Sequence, residues 1–111
     1  MKAYTDLNQS KKLAEILLME SADMCWQQIY DENHMMSDYR VESIPYRLYS
    51  GIGIPCWSLA ALYSVLPTFT LDSSDDHYFR LSCNKRTTEW YDNAIDACYE
   101  MIIRLNELKM L

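Results

Sequence analysis

Glycine is nearly missing: the 111-residue chain holds only Gly51 and Gly53, where average usage would give roughly eight. So few positions free to take left-handed backbone leave no glycine-rich cradle for a nucleotide phosphate, which excludes ATP or GTP hydrolysis by that route. Positive charge is also short, with 10 Lys and Arg against 16 Asp and Glu and a net charge of -6. The basic residues are scattered, and their longest runs are the pairs Lys11-Lys12 and Lys85-Arg86. Such a chain cannot build the phosphate-neutralising patch on which nucleic-acid affinity depends, so neither nucleic acid nor an anionic membrane is an expected partner. No apolar stretch approaches the length of a membrane span, and Met1 to Asp6 carries no apolar leader. A cytoplasmic location is the expectation.

Paired cysteines are lacking too. Cys25, Cys56, Cys83 and Cys98 lie 31, 27 and 15 residues apart with no C-x-x-C among them, which fits neither a zinc ribbon nor a redox motif. They read as small buried hydrophobes with free thiols. No cofactor and no metal site is expected. The acidic turns Asp72, Asp75, Asp76, His77 and Asp31, Glu32, His34 lack calcium-loop spacing and read as polar turn chemistry.

What the chain does have is hydrophobic and aromatic content: half of its residues are hydrophobic, with nine tyrosines and three tryptophans. That composition supports one globular domain spanning residues 1–111. The spacing predicts a helix from about Asp6 to Leu18, with Asp6 and Gln9 at capping-box separation. Alternation over Ala22 to Tyr30 and over Tyr39 to Ile44 predicts two strands. Pro45 to Pro55, which holds both glycines, reads as an irregular loop. A mostly buried helix follows from Cys56 or Trp57 to Leu66, stopped by Pro67. Thr68 to Asp72 and His77 to Cys83 form a hairpin turning at Ser73 to Asp76, and a third strand lies near Thr87 to Tyr91. Asp92 or Asn93 then caps a helix whose seam is Ala94, Cys98, Met101, Leu105 and Leu108. The expected architecture is α+β: an antiparallel sheet of four to five strands with three helices packed mainly on one face.

Three runs, Thr5 to Met24, Ile54 to Pro67 and Trp90 to Leu111, resemble a group of short proteins encoded in genomes of gut anaerobes and their phage-like or mobile elements. The resemblance covers about half the chain and implies a small stand-alone domain, such as a mobile-element accessory protein. It carries no activity and no functional residues.

Two candidate sites come from the residues themselves. Tyr39, Tyr46, Tyr49, Ile52 and Ile54 put more apolar and aromatic surface in and around the glycine- and proline-bearing loop than a solvated connection needs, which suits contact with a protein partner or a second copy. Trp26, Trp57, Tyr63 and Trp90 are assigned instead to the core. The leading expectation is therefore a non-enzymatic interaction or self-associating domain. The alternative is a small cysteine hydrolase, with Cys56 activated at a helix N-terminus and His77 as its base.

Overall fold

The structure is a computed structural model, which describes residues 2–30, 32–33, 35–43 and 53–111. Over these described residues it is α+β, with three α-helices and two three-stranded antiparallel sheets. The single sheet of four to five strands is thus replaced by two smaller ones. The reason lies in strand reach. Among the described residues, the strands before the second helix pair with one another, and those after it form a meander of adjacent strands that satisfies itself locally. The chain divides into two compact units, Asp6–Ser58 and Met1–Thr5 with Leu59–Leu111.

In the unit Asp6–Ser58, helix α1 (Leu7–Ala14) opens with the expected capping box. The Gln9 N–H donates to Asp6 Oδ1 at 2.8 Å, and the Asp6 N–H donates to Gln9 Oε1 at 3.1 Å. The helix ends four residues earlier than its apolar stripe suggested: Leu18 is already extended, with φ −65° and ψ 135°, and a 3-10 turn occupies Met19–Ser21. Strand β1 (Met24–Tyr30) is central, flanked by β2 (Met36–Glu42) and β3 (Ile54–Cys56). Gln27 faces Arg40 and Gln28 faces Tyr39 on one side, while Trp26 faces Ile54 on the other. Pro55 sits within β3, an edge strand, where a missing N–H is tolerated. The segment expected to be loop up to Pro55 therefore ends in a strand. Helix α1 packs against β3. Leu13, Cys25, Cys56 and Trp57 are fully buried, and the Trp57 indole N–H donates to Ser21 Oγ at 2.9 Å, satisfying the polar end of a buried aromatic. Asp23 accepts from both the backbone N–H and the hydroxyl of Ser58.

In the other unit, α2 (Leu59–Val65) starts later than expected. It buries Ala61 and Leu62 while leaving Ala60 and Ser64 exposed, so it is covered on one side rather than all round. Strands β4 (Phe69–Ser73), β5 (Phe79–Cys83) and β6 (Arg86–Thr87) form the meander. The expected hairpin is present, pairing continuously from Phe69 with Cys83 to Ser73 with Phe79. Asn84 and Lys85, both at positive φ (51° and 65°), make the two-residue turn into β6, the geometry that twisted hairpins favour. Helix α3 (Ala94–Glu107) is capped by Asn93, whose Oδ1 accepts from the Asp96 N–H at 2.8 Å. It ends in a Schellman arrangement, with Met110 N–H on Leu105 O, Lys109 N–H on Asn106 O, and Lys109 at φ 56°. The buried seam is Ile95, Cys98, Met101, Ile102 and Leu105, packed against β5 and α2. Leu108, assigned to that seam by spacing, is 47% exposed.

All four cysteines are buried as thiols, outside any disulfide. Burial pushes the Cys98 thiol up to about 12 and also raises Cys83. It raises Cys25 too, against a smaller opposing effect of its hydrogen bond from Gln27.

Candidate partner-binding recess

The β4–β5 hairpin builds a surface feature from three local rules. Its tip is a three-residue loop, Asp75-Asp76-His77, closed by Ser74 N–H to Tyr78 O at 2.8 Å and His77 N–H to Ser74 O at 3.1 Å. His77 lies at φ 64°, the left-handed position such loops require, and histidine is one of the few non-glycine residues often found there. Beyond the loop, side chains alternate: Leu81 and Cys83 are buried, while Tyr78 is 46% exposed and Arg80 half-exposed on the opposite face. Arg80 faces Asp72 across the hairpin, its Nε 3.2 Å from Asp72 Oδ2.

The third rule is a bulge. Thr88 meets Leu81, through Thr88 N–H to Leu81 O at 2.9 Å, and Tyr91 meets Phe79 through two reciprocal hydrogen bonds of 2.7 Å. Arg80 alone therefore lies opposite both Glu89 and Trp90, two residues against one. Thr88 Oγ1 takes the Leu81 N–H at 2.9 Å and donates to Glu89 O at 3.0 Å, which satisfies the interrupted ladder. The extra residue turns Trp90 onto the outer face, where its ring lies 4.5 Å from the Arg80 guanidinium carbon.

Ser74, Asp76, Tyr78 and Trp90 line an open recess of about 390 Å³. Trp90 is 43% exposed, so its assignment to the core is corrected. Asp76 lines the recess and Asp75 precedes it in the hairpin loop, while the one guanidinium shown beside Trp90, that of Arg80, is paired with Asp72. Asp75 and Asp76 are exposed and have no ion-pair partner among the described residues. The recess thus offers aromatic faces under a negative potential.

The sequence-derived candidates fall elsewhere. Tyr39 is half-buried in β2 and Ile54 half-buried in β3; Tyr46, Tyr49 and Ile52 lie outside the described residues. Cys56 is fully buried in β3, three residues before α2 begins, so its sulfur is not at the helix N-terminus that would favour a thiolate. His77 is exposed at the hairpin tip, in the other unit. Among the described residues no three His, Cys, Asp or Glu side chains gather as metal ligands, and no helix is long and apolar enough to cross a membrane. Tyr78 and Arg80 were legible as an outward pair from strand alternation. Trp90 was not, because a bulge shifts the alternation by one and leaves no mark in composition.

No family model matches the chain, and neither a curated protein nor a solved structure is detectably similar to it.

Proposed function

We propose that the protein is a non-enzymatic interaction module whose β4–β5 recess receives a basic side chain of a partner protein. The observation that carries this reading is the pair of large aromatics, Tyr78 and Trp90, each more than two-fifths exposed and lining one recess with Asp76. Aromatic residues held in place by a rigid strand pair are the side chains that anchor protein interfaces, since they offer large contact area for little lost entropy. Arg80 supports this reading: the Trp90 ring already lies against one guanidinium, with Asp72 neutralising it. An arginine or lysine from a partner on the remaining exposed ring surface would gain the same attraction, with Asp76 as counter-charge. The net charge of -6 favours encounter with basic partners over acidic ones.

An array of peptides scanning basic, neutral and acidic composition tests the reading. Selective capture of Arg- and Lys-bearing peptides, lost in Trp90→Ala and weakened by salt, is the expected result. Equal capture by Trp90→Ala, or selection of acidic peptides, would overturn it.

A further inference from the structure

From the open edge of β2, in the unit Asp6–Ser58, we infer that two copies of this chain associate by antiparallel pairing of their β2 strands about Tyr39. The observation is independent of the recess. Strand β2 is bonded to β1 on one side and carries no strand on the other among the described residues. The Tyr39 N–H donates to its own neighbour's carboxylate, Asp38 Oδ1, at 2.8 Å, which places that N–H on the outer edge rather than in the ladder with β1. In an antiparallel strand a residue's N–H and C=O point to the same side and alternate along the chain, so Tyr39 and Val41 present their backbone groups outward.

Charge then selects the partner and the register. Asp38, Arg40 and Glu42 share one face in the order negative, positive, negative, and Arg40 already pairs with Glu42 at 2.8 Å. A two-fold pairing centred on Asp38, Arg40 or Glu42 would set like charges opposite one another. Centred on Tyr39, it sets Asp38 of each copy opposite Arg40 of the other, twice, within the regular stretch from Asp38 to Glu42 that follows the register shift at Ser37. Centred on Val41 it would run past the strand end at Glu42. In the Tyr39 register the Asp38–Arg40 positions are non-hydrogen-bonded pairs, where facing side chains approach most closely. The two Tyr39 residues exchange N–H···O=C bonds, and Asp38 trades the Tyr39 N–H for a guanidinium. A self-complementary strand of this kind fits an isologous dimer, because each contact is made twice by symmetry.

Charge reversal tests this directly on the full chain, with sedimentation velocity over a concentration series reading association and circular dichroism checking the fold. Wild type should dimerise reversibly. Asp38→Arg and Arg40→Asp should each weaken self-association on the order of 10- to 100-fold, since two attractive pairs become two repulsive ones. Mixing the two variants should restore a dimer, now a heterodimer, because one supplies two cations and the other two carboxylates at the facing positions. A monomeric wild type, unaltered association in both folded variants, or a mixture that fails to recombine would overturn the inference. So would association gained on Asp38→Ala, which would make Asp38 a guard of the edge rather than a pairing group.

Discussion

Placing a single methyl group at Gly53 should destabilise the protein, and the structure says why. Gly53 precedes β3, and a Cβ built there would overlap the Cys25 sulfur while lying 3.2 Å from Gln27 Nε2 and 3.3 Å from Trp26 O. Cys25 is 0% exposed on the central strand, so the sulfur cannot retreat into solvent. The Gly53 backbone is not in the left-handed region, and alanine would by itself stabilise through the unfolded chain by about 0.4–1 kcal/mol. Overpacking opposes this with about 1–3 kcal/mol, and the steric effect wins. The expected net loss for Gly53→Ala is about 1–2 kcal/mol, read from urea unfolding followed by tryptophan fluorescence. Cys25→Ala removes the clashing atom. Alone it should cost about 1 kcal/mol for a small buried group, but combined with Gly53→Ala it should recover about 1 kcal/mol or more relative to additivity. A neutral or stabilising Gly53→Ala, or strict additivity in the double variant, would refute the argument.

Three further outcomes are expected. Lys85→Gly and His77→Gly relieve left-handed backbone at the two hairpin turns and should each stabilise by about 0.5–1 kcal/mol in the same unfolding assay, with loss of stability counting against the turn assignments. Thr88→Val keeps the shape of a buried side chain but orphans the Leu81 N–H at the bulge, so it should cost about 1–3 kcal/mol; an equally stable variant would mean the bulge is satisfied another way. Because burial raises Cys98 to about 12, the folded state holds that proton longer than the unfolded chain does. Stability should therefore be full below the unfolded thiol range and fall as pH rises from about 9 towards 12, by up to about 1.4 kcal/mol per pH unit for this group. Cys98→Ala should flatten that part of the profile while costing stability at neutral pH, and an unchanged alkaline slope would contradict the assignment.

Local chemistry was the legible part of the sequence. The Asp6–Gln9 capping box, the Asn93 cap, the α3 seam and the hairpin between Phe69 and Cys83 all arise from neighbours a few residues apart, where pattern and structure share one cause. Non-local choices were not legible. Nothing between Gln28 and Cys56 says that β1 takes β2 on one edge and Ile54–Cys56 on the other, because a three-residue strand bearing Pro55 has no alternation to read. The α1 stripe ran on through Leu18 in sequence, but Leu18 is 76% exposed, so propensity there yielded to the turn at Met19–Ser21. The recess was missed for the same kind of reason. Trp90 looked like core by its size, and only the extra residue opposite Arg80 turns it outward.

The central claim is that Trp90 and Tyr78 hold a cationic side chain, and its most direct measurement is an amide and indole NMR titration with a short arginine-bearing peptide chosen from the array. The account predicts progressive shifts confined to Ser74–Arg80, Trp90 and its indole N–H, abolished by Trp90→Ala in a protein whose other resonances are unmoved. Shifts that centre on other residues, or that persist in Trp90→Ala, would contradict it.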